Sequence, residues 1–384
     1  MNFNPRFPPD WCDNPREWLH LHPPAPFPIL DYSLAARDHD AFISLLRTHL
    51  LDHGCMYLSN TPVPDELIAK MTSAIVQYFA MPAEVKEACN INNVANFNGY
   101  HRRGPAENPS CEQSSYGQDN AAKCTEGAPV HYKLHGATPW PPEESFPGGR
   151  AVMQEYYDSC KKVSLQFTEY VAEALGLAPD GFESLFEGDI DRRQGRCRFL
   201  RYPEMAEPAT GSALKAHTDA NFLTYLLQAT PESGLEIMMP GEKWVQVTAV
   251  PNTLLLLSGD IIEKITKGMV KATPHRVLSP DKGTRHSVAF FQGVAPDTRI
   301  VDVNLEFPQF IKDMARARQG NANQEYPILP NDRIPTARGV LNIKLKAAPL
   351  VAYKFYPDIF PELFPDGLPE KWARMLPEAP TVAV

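Results

Sequence analysis

Apolar residues recur with a helical period up to about residue 175 and fall into short runs of β-rich texture after residue 196. Phe42, Leu45, Leu46 and Leu50 predict a helix over 34–53, with Ser33 as its N-cap and Gly54 as its stop, leading into a strand over 55–58. Pro64-Asp65-Glu66 starts a second helix with acid in its first turn; Leu67, Met71, Ile75 and Tyr78 continue one face until Pro82. Met153, Tyr156, Cys160, Val163, Phe167, Val171 and Ala174 mark a long amphipathic helix over 150–175 that ends at Gly176. Strands follow over 197–202, 222–228, 235–239, 244–247, 253–257, 269–272 and 286–292, separated by Gly, Pro, Asp and Asn. Such punctuation argues for a sandwich or jelly roll rather than alternating βα units. A helix from Pro308 to about Gly320 precedes a proline-rich tail that holds Tyr353, Phe355, Tyr356, Phe360 and Phe364.

The expected plan is mainly β with flanking α. Residues 1–195 form a helical and loop region, 196–306 the β-core and 307–384 a helix and aromatic tail, all one catalytic unit. Prolines number 38, well above the usual ~5%, and sit mostly at the two ends and in 105–149, marking loops and wraps.

Composition changes this picture mainly by exclusion. With 37 Lys+Arg against 46 Asp+Glu, a net charge of −9 offers no attraction to a phosphate backbone or an anionic membrane. No apolar run is long enough to span a bilayer, and the first residues carry no secretion signal. Seven cysteines, odd in number and without a C-x-x-C pair, make a poor disulfide framework and point to a reduced, cytoplasmic protein.

The chemistry concentrates in the β-region: His217-Thr218-Asp219, then His275, then Arg285-His286-Ser287. On a strand His217 and Asp219 share a face while Thr218 turns away, and a histidine from a distant strand can complete the set. Two imidazoles and one carboxylate describe a facial site for Fe(II) with open positions, whereas zinc favours a tetrahedral set. Arg285 offers a bidentate fork for a carboxylate and Ser287 a hydroxyl on the same face, which suits a dicarboxylic acid such as 2-oxoglutarate that chelates iron at its other end. An ordinary structural ion pair is the competing use of Arg285. His286 faces the opposite side as a packing or surface residue. His131 and His135 have i, i+4 spacing, but Pro129 and Gly136 crowd the segment; His20 and His22 lie in a proline-rich leader.

At these residues the chain resembles the iron(II)/2-oxoglutarate-dependent oxygenases of the isopenicillin N synthase-like branch. Further landmarks are Pro28-Ile29-Leu30-Asp31, Asp52-His53-Gly54-Cys55-Met56-Tyr57-Leu58, Phe79-Ala80-Met81-Pro82-Ala83-Glu84-Val85-Lys86, Gly259-Asp260 and Thr273-Pro274-His275-Arg276-Val277. Phe97-Asn98-Gly99-Tyr100 and Arg198-Phe199-Leu200-Arg201-Tyr202-Pro203 resemble segments of deacetoxycephalosporin C synthase and the ethylene-forming enzyme. The resemblance implies a double-stranded β-helix (jelly-roll, cupin-like) core. It implies Fe(II) on His217, Asp219 and His275, with 2-oxoglutarate and O2 as cosubstrates and ascorbate as a reductant. Arg285 and Ser287 would hold 2-oxoglutarate, with Arg198 and Tyr202 as further contacts. Leu200-Arg201-Tyr202-Pro203 replaces the Asn-Tyr-Tyr-Pro of plant members, so the asparagine contact is absent.

The expected activity couples decarboxylation of 2-oxoglutarate to succinate and CO2 with hydroxylation, desaturation or ring rearrangement of a small secondary metabolite. No separate acid or base is assigned. Tyr100, Arg102 and Arg103, in the segment that covers the mouth in this family, are the candidate substrate contacts. The partner is a small molecule, with no nucleic acid and no membrane, and the chain acts as a monomer or homodimer. Alternatives are an iron oxidase that uses its substrate rather than 2-oxoglutarate as iron ligand, fragmentation of 2-oxoglutarate to ethylene, and a non-catalytic jelly-roll binding protein.

Overall fold

Two sheets organise the chain. In the larger, strands β1 (Ile29–Asp31), β2 (Cys55–Ser59), β3 (Gly99–Arg103), β4 (Cys111–Gly117), β5 (Gly195–Pro203), β7 (Leu223–Gln228), β10 (Thr253–Ser258) and β12 (Thr284–Gln292) lie in the order β1-β2-β10-β7-β12-β5-β4-β3. The smaller has β6 (Leu214–His217), β11 (His275–Val277), β8 (Leu235–Met239) and β9 (Lys243–Gln246), in that order. The computed structural model describes residues 25–104, 109–117, 127–186, 195–204, 213–239, 241, 243–319 and 327–375. The leader with His20 and His22, as well as Cys12, Cys124 and Glu107, lies outside the described residues.

Strand alternation gives the large sheet two different faces. Leu200, Tyr202, Leu226, Leu255, Leu257 and Ala289 point to the small sheet and pack with its Leu235, Ile237 and Val277. Phe199, Tyr225, Leu227, Leu254, Leu256, Val288 and Phe290 point the other way, into a larger apolar cluster shared with the helices. This is the jelly-roll core with flanking helices that the strand pattern predicted. The all-apolar β10 reads as a continuous run because both of its faces are covered.

The helical layer comprises α1 (His39–Asp52), α2 (Asp65–Ala80) and α3 (Gly149–Ala174). Every apolar position that predicted the long helix is buried in α3. The first helix differs from expectation: 34–37 forms a separate turn, and Asp38, at φ −155°, breaks the helix and caps α1 by accepting from the Ala41 N–H at 3.1 Å. Ser33 precedes only the 34–37 turn and makes no side-chain cap there; its hydroxyl donates to Asp31 Oδ1 at 2.7 Å. Among the described residues no helix is long and apolar enough to cross a membrane.

Two other expectations give way. Residues 269–272 form no strand, because side chains take the backbone donors a ladder would need: Thr266 Oγ1 accepts from Val270 N at 3.1 Å and Glu263 Oε2 from Ala272 N at 2.9 Å. The proline-rich tail is largely helical. Its helix α4 (Thr336–Ala347) and the following turn at Pro349–Phe355 bury Leu341, Leu345, Val351 and Tyr356 against Phe97 and Leu134. Proline sits at the starts of these helices, where its missing N–H costs nothing.

Candidate active site

His217 ends β6 and pairs directly with His275 at the start of β11, which brings the two ring centroids to 4.3 Å. Asp219 follows in the turn after β6, with Oδ1 3.7 Å from His217 Nε2 and 4.0 Å from His275 Nε2. One ligand atom from each of the three lies within 4.8 Å of the others, a spacing that can hold a metal ion. The same-strand argument for His217 and Asp219 needs correction. The strand stops at His217, the turn sets the Asp219 direction, and Thr218 lines the adjoining cavity rather than facing away from it.

Backbone carbonyls orient both imidazoles. His217 Nδ1 lies 2.9 Å from Lys215 O, and His275 Nδ1 lies 2.9 Å from Thr273 O. A proton on each Nδ1 leaves Nε2 as a lone pair directed at Asp219, the tautomer a metal requires. Burial, reinforced by His275, pushes His217 below the usual histidine range and favours this neutral form. Asp219 has its other oxygen, Oδ2, fixed by the Thr224 hydroxyl at 2.6 Å.

Two glycines let the backbone close around this group. Gly54 sits at φ +66°, and a Cβ there would stand 2.4 Å from Lys271 O. Its own carbonyl accepts from Thr273 Oγ1 at 3.0 Å, which fixes the residue that orients His275. Gly259 lies under the Asp219 turn, where a Cβ would meet Asn221 O at 2.2 Å and Asp219 O at 2.8 Å.

Arg285 and Ser287 project from β12 on the inner face of the large sheet. Arg285 is 1% exposed; Nη1 donates to Ser287 Oγ at 3.2 Å, while Nε and Nη2 are buried with no partner among the described residues. The guanidinium lies 5.6 Å from the centroid of the Tyr202 ring. Arg285 makes no direct ion pair with a described residue, and the charge of Glu232 acts on it from a distance. A buried cation with two unused donors is a costly arrangement unless an anion completes it. Arg198, on the same face of β5, donates from Nε to Ser115 Oγ at 3.2 Å and is acted on by the charge of Asp219.

The three candidate substrate contacts are placed elsewhere. Tyr100 is buried on the helix side of the sheet, with its hydroxyl on Glu112 Oε1 at 2.7 Å, and Arg102 pairs with Glu87 at 2.7 Å. Arg103 alternates to the inner face and reaches Ala213 O at 3.5 Å, yet none of the three lines the cavity beside His217 and Asp219. His131 is held by Asp297 at 2.8 Å, and the His286 ring lies tilted beside Phe79, 6.0 Å between centroids.

Thr224, Arg196 and Lys344 join the site without having been singled out by the sequence pattern. Arg196-x-Arg198 on one strand was a legible signal, since both must share a face. Nothing in the pattern marked Lys344, because its helix was unforeseen.

The 2OG-Fe(II) oxygenase superfamily model matches residues 194–294, and the model described as non-haem dioxygenase in morphine synthesis N-terminal matches 27–143. A 2-oxoglutarate-dependent dioxygenase, frbJ, of Dothideomycetidae sp. (strain 11243) is 31% identical over 355 residues, covering 86% of this chain and 93% of the relative. The chain belongs to the 2OG-Fe(II) oxygenase superfamily. It is an Fe(II)- and 2-oxoglutarate-dependent dioxygenase. A second such dioxygenase, from Gibberella zeae, is 31% identical over 354 residues, covering 86% of this chain and 91% of the relative. Among solved structures, a full-length Neurospora crassa protein in complex with alpha-KG superposes with a TM-score of 0.65 at 20% identity, covering 84% of this chain and 96% of that one. That likeness concerns the fold. The family reading of this oxygenase therefore stands, while the finer likeness to deacetoxycephalosporin C synthase and the ethylene-forming enzyme stays a resemblance of segments.

Proposed function

We propose that His217, Asp219 and His275 hold Fe(II) in this dioxygenase, that Arg285 and Ser287 hold the distal carboxylate of 2-oxoglutarate, and that the reaction oxidises a C–H bond of a small secondary metabolite. The observation that carries this reading is the Arg285 guanidinium, fully buried, with Nε and Nη2 unpartnered on the inner face of the core. A carboxylate is the group whose two oxygens match such a fork. The donor set of two neutral imidazoles and one carboxylate fits Fe(II) with positions left open. When bound, iron with 2-oxoglutarate and O2 supplies the oxidative decarboxylation to succinate and CO2 and the oxidation of the substrate.

The chain's own part is positioning. The carbonyls of Lys215 and Thr273 keep both Nε2 lone pairs inward, and Thr224 fixes the rotation of Asp219. Tyr202 walls one side of Arg285 and keeps water from its guanidinium, which strengthens the pairing with a carboxylate. Arg198, between Asp219 and Tyr202 in charge, provides a second cation for the cosubstrate end of the site. The five buried, unpaired cysteines among the described residues support a reducing compartment such as the cytoplasm.

The test is anaerobic: Fe(II) and then 2-oxoglutarate are added to metal-free protein while the visible charge-transfer band of a chelated 2-oxo acid is followed. The band is expected in the wild type and lost in Asp219→Ala. Arg285→Ala should need at least about tenfold more 2-oxoglutarate, the cost of losing a charge-assisted pair. Tight iron binding without the band would instead point to an oxidase that uses its substrate as iron ligand.

A further inference from the structure

The cavity beside His217 and Asp219 encloses about 300 Å³, within the range of small-molecule sites. Three basic side chains line it: Arg196 and Arg198 from β5, and Lys344 from α4. None of them makes an ion pair with a described residue. Arg196 donates to the carbonyls of Asn96 at 2.9 Å, Leu134 at 3.2 Å and Phe97 at 3.4 Å, partners that satisfy its N–H groups without neutralising it. Arg198 uses only Nε, on Ser115, and lies 5.4 Å from the Phe291 ring centroid. Lys344 Nζ stands 5.6 Å from the Phe97 ring centroid and has no hydrogen-bond partner among the described residues. Asp219 is the sole acidic side chain among the described residues that line the cavity, and its charge belongs to the metal group.

We infer that this cavity takes a substrate that is itself a carboxylic acid, its carboxylate received by Lys344 and the free Nη groups of Arg198 beside Arg196, its apolar body against Leu134, Phe291 and Val340. The inference deepens the reading proposed above by naming the substrate class. Arg285 already serves the cosubstrate, so the cations across the cavity remain to be balanced even where Arg198 is shared between the two ligands. Buried like charges are unfavourable: burial first, then Arg196 and Arg198, push the Lys344 amine well below the usual lysine range. A bound carboxylate offsets that repulsion and favours the charged form of Lys344 that would pair with it. Arg196 has spent donors on three carbonyls, so the free donors that a carboxylate would meet belong mainly to Arg198 and Lys344. Lys344 comes from the C-terminal region, so the same helix that closes one wall would also select the ligand.

The test uses the full chain, anaerobic and loaded with Fe(II) and 2-oxoglutarate, titrated calorimetrically with 3-phenylpropionate and with its neutral counterpart 3-phenylpropanamide. The acid is expected to bind more tightly than the amide. Lys344→Met should weaken the acid by roughly tenfold or more and leave the amide unmoved, while Lys344→Arg restores the acid. Equal affinity for acid and amide in the wild type, absence of binding by the acid, or an unweakened acid in folded Lys344→Met would each overturn the inference. The wild-type comparison stands even if Lys344→Met does not fold. The charge-transfer band recorded in the same sample separates this failure from failure of the iron and 2-oxoglutarate reading: band present with no preference for the acid sinks the substrate class alone.

Discussion

The Thr224 hydroxyl donates to Asp219 Oδ2 at 2.6 Å, joining the start of β7 to the carboxylate that faces both histidines. This bond decides which carboxylate oxygen is left for a metal. Replacing Thr224 with valine keeps the shape and removes two hydrogen bonds, the one to Asp219 and the one accepted from Asn221 Nδ2 at 2.9 Å. Thr224→Val should weaken Fe(II) binding by about 10–100-fold with a stability loss of only about 1–3 kcal/mol, as measured by anaerobic iron titration beside a thermal melt. Unchanged iron affinity would show that Asp219 needs no such support.

Gly259→Ala tests the close approach beneath the same turn. A methyl group would sit 2.2 Å from Asn221 O and 2.8 Å from Asp219 O, so the turn must move. A loss of roughly 1–3 kcal/mol in stability is expected from the overpacking, accompanied by weaker iron binding. Denaturant unfolding and iron titration on one preparation would reveal whether the two effects travel together.

On the opposite face of the sheet, Glu112 is buried among Lys86 at 2.7 Å, the Tyr100 hydroxyl at 2.7 Å and Arg201. Burial alone would raise its carboxyl, and these partners more than offset that, holding it below the usual glutamate range. Glu112→Ala strands the Lys86 ammonium in the interior and should cost about 3–5 kcal/mol. A shift in the unfolding midpoint smaller than the error of the fit would contradict the role given to this network.

His286 and His101 both make folding depend on pH. Burial, helped by Arg201, lowers His286 from 6.5 to about 4. The unfolded chain therefore takes up the proton first, and stability present above about pH 6.5 drains away as pH falls toward 4. The contribution is on the order of 3 kcal/mol. His286→Phe, beside Phe79, should remove about half of the stability lost between those two pH values, the other half belonging to His101. His101, also pushed down to about 4 by burial and Arg103, contributes a slope of similar size in the same window.

Periodicity and residue chemistry made part of this protein legible before any packing was known. α3 can be read because its apolar residues recur every three to four positions, and the strands β7, β8, β10 and β12 because short apolar runs end at turn residues. The pairing of Arg285 with Ser287 follows from strand alternation alone. Contacts between distant segments settled the rest. That Asp38 rather than Ser33 caps α1 follows from the break at Asp38 that separates the 34–37 turn from α1. The Asp219 direction is set by a turn, by Thr224 and by Gly259 rather than by strand geometry. Alternation puts Tyr100 and Arg102 on one face of β3, and the pairing of β3 with β4 makes that the face of Glu112, away from the cavity. Lys344 reaches the cavity because α4 packs on Phe97 and Leu134, residues more than two hundred positions earlier. Local spacing fixes how a segment folds; which charges meet across the cavity is fixed by how distant segments pack.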